Sequence, residues 1–137
     1  MIKAVFDTNI LFSATGWRGS PYRCLKLARE GKVTLIICRE ILTEYHEKLQ
    51  TKLGMTPEQA TRAVAEILSC STLTEINNEL HVVVNDPDDD KVVECAVVGK
   101  AAYIVSGDRH LLDMNEYEGI VIIRANDFLD LVAASAG

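Results

Sequence analysis

Aspartates stand at three places in this chain where their carboxylates could gather on one ion. Asp7 closes the apolar run Ile2 to Phe6, Asp86-Pro87-Asp88-Asp89-Asp90 follows Leu80 to Val84, and Asp108 follows Ile104-Val105-Ser106-Gly107. No basic residue lies within two positions of Asp7, and only Lys91 and Arg109 flank the others. Unpaired carboxylates repel: two charges about 4 Å apart cost roughly 1 kcal/mol in water and about 4 at an effective dielectric of 20. A divalent cation resolves that conflict, and hard oxygen donors suit Mg²⁺ or Mn²⁺. Such an ion lowers the pKa of water and offsets charge building on a phosphate.

The elements that must position these acids follow from the apolar pattern. Ile2–Phe6, Val33–Cys38, Leu80–Val84, Ala102–Val105 and Ile120–Ile123 are continuous apolar runs, which suits strands buried on both faces. Helical patterns lie between them. One follows Asn9, with Gly16 and Gly19 interrupting it, and Ser20-Pro21 opens another that runs to about Arg29 and stops near Gly31. Ile41, Leu42, Tyr45, Leu49 and Leu53 share one helical face ending at Gly54, and Thr56 with Gln59 forms a capping-box signature for a helix to about Ser69. Val92 to Val98 is apolar nearly all round, as in a buried helix; a short helical piece spans His110–Met114, and a last helix begins near Asn126. Alternating strands and helices predict one domain over residues 1–137. Its expected fold is a three-layer α/β/α sandwich on a roughly five-stranded parallel sheet. In such sheets ligands bind beyond the C-terminal strand ends, where all three acidic positions are expected.

Composition narrows the class. At 137 residues, 48% hydrophobic and 25% charged, the chain can bury a core. No apolar run approaches the roughly 20 residues of a membrane span, and Ile2–Phe6 is too short for a signal peptide, so a cytoplasmic location is expected. Cys24, Cys38, Cys70 and Cys95 show no paired spacing and sit among apolar neighbours, which suits reduced core thiols rather than a zinc site. The net charge of −6 argues against a simple basic nucleic-acid binder. It is unevenly placed: residues 1–52 carry nine Lys or Arg against five Asp or Glu, residues 53–137 five against fifteen.

Val5-Phe6-Asp7-Thr8-Asn9-Ile10-Leu11, Asp86-Pro87-Asp88-Asp89-Asp90-Lys91 with Glu94-Cys95-Ala96, and Ala102 to Asp108 with Leu111-Leu112 together resemble the PIN-domain family. The similarity is to its bacterial and archaeal toxin components of toxin–antitoxin pairs. The resemblance implies cleavage of RNA dependent on Mg²⁺ or Mn²⁺, with Asp7, Asp89 and Asp108 as metal-site acids and Glu44 as a further catalytic acid. Asp89 is preferred within its run because it stands seven residues before Ala96, although Asp90 competes for the role. Thr8, Asn9, Ser106 and Asp90 would orient carboxylates or water through hydrogen bonds. Arg18, Arg23 and Lys26, with Arg29 and Lys32, could carry the RNA backbone. A small antitoxin partner and homodimerisation are also implied.

Each acid has a structural reading as well. Asp7 suits an N-cap, Asp88 suits the cap of the buried helix with Asp89 and Asp90 in its first turn, and Asp108 suits a turn cap after Gly107. Glu44 lies on the flank of its apolar stripe, where a solvated glutamate also fits. A phospho-receiver domain would want a second acid beside Asp7 and a lysine where Arg124 stands. A catalytically weak RNA- or protein-binding module on the same fold is the alternative function.

Overall fold

The computed structural model describes residues 1–136; Gly137, the last residue of the expected domain, lies outside the described residues. Six strands form one sheet: β1 (Lys3–Phe6), β2 (Thr34–Cys38), β3 (Ser71–Thr74), β4 (Tyr103–Val105), β5 (Glu116–Tyr117) and β6 (Ile120–Ile123). Their order is β3-β2-β1-β4-β6-β5, and every pairing is parallel except the short antiparallel β5–β6. Seven α-helices flank the sheet: α1 (Thr8–Gly16), α2 (Ser20–Arg29), α3 (Arg39–Leu53), α4 (Pro57–Ser69), α5 (Asp90–Val98), α6 (Arg109–Leu112) and α7 (Ala125–Ala136). No helix among the described residues is long and apolar enough to cross a membrane.

Both faces of the central strands are buried, so successive residues of β1 face opposite helix layers. Val5 is in register with Ile36 and Ile104, and all three are inaccessible or nearly so. This row faces α5, whose end approaches so closely that a Cβ on Gly99 would lie 2.4 Å from Ile36 Cγ2. Glycine is required there for proximity. On the other face Phe6 and Tyr103 meet Phe128 of α7 edge-on, at centroid distances of 6.0 and 5.9 Å. Three of the four cysteines are buried, and all four thiols are free.

The sheet differs from the expected five parallel strands in two places: the two-residue antiparallel β5 is added at one edge, and the third strand is another segment. Leu80–Val84 forms no strand, and the third parallel strand is Ser71–Thr74, paired with Leu35–Cys38 at the sheet edge. An edge strand needs little apolar content on its exposed side, so Ser71-Thr72-Leu73-Thr74 shows no apolar run. The Leu80–Val84 backbone is instead held by two carboxylates of α5. Glu94 accepts hydrogen bonds from the amides of Asn77, Asn78 and Leu80, each at 2.8 Å. Asp90 Oδ1 accepts from Val82 at 2.9 Å and Val83 at 2.8 Å.

Burial opposes the charge on Glu94, but the amides of Leu80, Asn78 and Asn77 outweigh it and hold the carboxyl below its ordinary value. Stability from that group is present above the unfolded pKa and lost as pH falls through the lower folded one. Glu94→Gln is expected to cost about 3 kcal/mol at pH 7, measured by urea unfolding, because charge-assisted bonds are lost and loop amides left short of acceptors. The difference from wild type should shrink below pH 4.

Candidate metal centre

Asp7 follows β1 directly and does two structural jobs. Its Oδ1 accepts from the Ile10 amide at 2.9 Å, capping α1, and its Oδ2 accepts a short hydrogen bond from the Ser106 hydroxyl. Asp7 is 4% exposed. Burial pushes its carboxyl up to about 6, against the lowering effect of Ser106 and Ile10. Ser106 Oγ also accepts from the Asp108 amide at 2.9 Å, so one buried hydroxyl ties the ends of β1 and β4 together. Asp108 Oδ1 in turn accepts from the His110 amide at 2.7 Å and caps α6.

The acidic run divides its residues among different tasks. A 3₁₀ turn spans Pro87–Asp89, and Asp86 Oδ1 accepts from the Asp88 amide at 3.2 Å to cap it. Asp88 is therefore not the cap expected from its position; it is exposed. Asp90, placed above among the groups that would orient ligands, is committed to the Val82 and Val83 amides, with His81 Nδ1 3.6 Å from its Oδ2. Asp89 points elsewhere. Asp86, Asp89 and Asp108 each present a carboxylate oxygen within 4.8 Å of the others.

Asp89 Oδ2 is buried and, among the described residues, has no hydrogen-bond partner. Burial, then the negative charges of Asp108, Asp86 and Asp7, push the Asp89 carboxyl up to about 8. A buried carboxylate with one orphaned oxygen, beside two further carboxylates, is the chemistry a hard divalent cation satisfies. Oxygens across an octahedral Mg²⁺ stand about 4 Å apart, so small side-chain shifts would let these three carboxylates share one ion.

The remaining expected residues are not all brought to this cluster: Thr8 and Asn9 follow Asp7 directly, whereas Lys32 lies beside Met1, Ile2 and Lys3 at the N-terminal end of the strands. Glu44 pairs with Lys91 Nζ at 2.9 Å, and Lys91 also donates to the Asp88 carbonyl at 2.6 Å. Burial opposes charge on Glu44, but the Thr8 hydroxyl and the Lys91 and Lys48 ammonium groups prevail and lower its pKa. Thr8 Oγ1 is buried without a well-formed hydrogen bond. Asn9 is exposed and accepts a short hydrogen bond from Lys48, whose ammonium also lies 5.7 Å from the Phe12 ring centre. Arg18 stacks on Tyr22 at 4.6 Å and donates to its hydroxyl, Arg23, Lys26 and Arg29 are exposed on α2, and Lys32 faces Glu30 at 3.5 Å.

Sequence reasoning gave no separate role to Asp86, Lys48 or Lys91. The Asp86-Pro87 pair was the available signal, since a proline at the first helical position favours a capping residue before it. Lys48 lies one helical turn after Glu44, but spacing alone does not show that its charge reaches both Glu44 and Asp7.

The family model for the PIN domain matches residues 3–110, and the chain belongs to that family. Two solved structures share its fold. One is VapBC2 from Rickettsia felis bound to a promoter DNA fragment, with a TM-score of 0.62, 16% identity, and 88% of this chain and 97% of that chain covered. The other is PAE2754 from Pyrobaculum aerophilum, with a TM-score of 0.64, 20% identity, and 97% and 90% covered. No curated protein sequence matches the chain.

The raised Asp89 pKa has a consequence for stability. Between the unfolded value near 4 and about 8, the folded chain holds a proton that the unfolded chain has released. Without metal, stability therefore falls as pH rises through that window. Asp89→Asn should reduce the effect to the share left by Asp7, whose carboxyl is raised to about 6, and stabilise the protein at pH 8 by about 2 kcal/mol, after allowance for solvent screening. Urea unfolding in EDTA at pH 6 and pH 8 measures it; equal pH dependence in both proteins would reject the assignment.

Proposed function

We propose that this chain is a divalent-metal-dependent endoribonuclease and the toxin of a toxin–antitoxin pair. PIN domains are generally nucleases. The observation that carries the reading is the convergence of the Asp86, Asp89 and Asp108 carboxylates, with one Asp89 oxygen orphaned and Asp7 near enough for its charge to act there.

Asp86, Asp89 and Asp108 would hold Mg²⁺ or Mn²⁺, with Asp7 beside them. Bound there, the cation would activate a water for attack on a phosphodiester and offset charge building on the phosphate. Ser106 fixes the Asp7 carboxylate while receiving the Asp108 amide, which keeps two of these acids in one geometry. Lys91 binds Glu44 and the Asp88 carbonyl, anchoring α3 to the acidic turn. Glu44 therefore acts on the site through Lys91 and Thr8 as the chain stands. Lys48 is the ammonium placed to meet a substrate phosphate at the Asn9 side.

The Rickettsia felis neighbour is VapBC2 bound to a promoter DNA fragment, and the family resemblance implies a small antitoxin partner here. We extend to this chain the homodimer and cytoplasmic location that the family resemblance implies.

Calorimetry with Mn²⁺ and cleavage of a labelled RNA pool test the reading on the same samples. Wild type should bind Mn²⁺ and cut RNA, and Asp89→Asn should lose cleavage by more than about a hundredfold together with metal affinity. Asp7→Asn should lose cleavage to a similar degree. Wild type that binds no Mn²⁺ at millimolar concentration would defeat the enzyme reading and leave a binding module. Mixing with the product of the neighbouring gene should shift both on a sizing column; unchanged elution would reject the antitoxin.

A further inference from the structure

Beside Asp108 a groove of about 410 Å³ opens, lined by no residue of the acidic turn. Its walls come from four chain segments: α1 (Asn9, Ser13), the start of α2 (Ser20), the turn after β4 (Ser106–Asp108) and the entry to α7 (Arg124, Asn126). Asp108 borders both this groove and the carboxylate cluster. It is also the only acid in the lining, and the other polar groups are hydroxyls, carboxamides and the Arg124 guanidinium.

Sheet register places Arg124. Val105 is opposite Ile123, and the Ser106 amide donates to the Ile123 carbonyl at 3.0 Å, so Arg124 stands beside the turn that bears Asp108. Its carbonyl accepts the Phe128 amide at 2.9 Å within α7, which fixes its backbone. Its side chain is exposed and, among the described residues, makes no ion pair or hydrogen bond. Arg124 also lies outside the span 3–110 that matches the family model. An unpaired guanidinium at the mouth of a donor-lined groove fits a phosphodiester, which it can grip through two parallel N–H groups.

We infer that Arg124 holds the RNA phosphate next to the one presented to the carboxylates, so that the strand runs past Asp108 through this groove. The inference rests on the nuclease reading, and it makes Arg124 a positioning residue. Phosphate contacts fix register on a nucleic acid and carry no sequence information, so the contact should act equally on all sequences.

The test compares wild type, Arg124→Ala and Arg124→Lys by RNA cleavage, by Mn²⁺ calorimetry and by fluorescence anisotropy of a labelled single-stranded RNA across a salt series. Arg124→Ala should raise KM about tenfold and lower the salt slope of binding by about one, with kcat and Mn²⁺ affinity within twofold of wild type. Arg124→Lys should restore the slope but only part of KM, since lysine keeps the charge and loses the paired donors. An unchanged KM and salt slope in Arg124→Ala, with wild type cutting RNA, would overturn the inference alone. Should wild type bind RNA without cutting it, the nuclease reading falls, and the salt slopes of the variants still decide whether Arg124 meets a phosphate.

Discussion

The whole site depends on two carboxylates that face away from it. Asp90 and Glu94 stand one turn apart on α5 and together accept five backbone N–H groups from residues 77–83. That loop has no sheet partner, and its buried amides would otherwise lack acceptors. Fixing it also fixes the start of α5. With Asp90 turned inward, Asp89, the last residue of the 3₁₀ turn, is left to reach Asp86 and Asp108. Asp88 is left in solvent. Three adjacent aspartates thus acquire three roles from helix geometry and one set of backbone bonds.

The same arrangement stores electrostatic strain. Asp89 lies among Asp86, Asp108 and Asp7, and burial, then their negative charges, push its carboxyl up to about 8. The lysines nearby are otherwise engaged, Lys91 with Glu44 and Lys48 with Asn9. Burial of β1, β4 and α5 keeps the acids together despite their repulsion. The protein holds a proton where a divalent ion would serve better, and the two must compete for the same oxygens.

Much of the fold was legible in the sequence because buried parallel strands carry continuous apolar runs. Four of the six strands were placed that way. Ser71–Thr74 was not, because an edge strand flanked by solvent has no such run, and Leu80–Val84 had the run without the ladder. Apolarity marks burial, and burial here comes from packing beneath α5 carboxylates rather than from pairing. At the site, positions just beyond β1 and β4 were readable from topology. The separation of Asp89 from Asp90 was not, because it depends on which amides lie across from the helix. The pairing of Glu44 with Lys91 depends on how α3 meets α5, which neither helix's own pattern contains.

Capping and metal binding were posed as competing readings of each aspartate, and the geometry shows why they need not compete. A carboxylate has two oxygens. Asp86 and Asp108 each give Oδ1 to a backbone amide two residues on, at 3.2 and 2.7 Å, and neither Oδ2 takes a backbone donor. The cap bond costs one oxygen and fixes the side-chain torsions, leaving the second oxygen aimed in a set direction. Preorganisation of that kind lowers the entropy cost of assembling a ligand set. Asp7 goes further, with both oxygens engaged, and this suits a group that orients its surroundings more than one that first captures an ion. Helix starts gathered at one sheet edge therefore supply the acids and the bonds that hold them still.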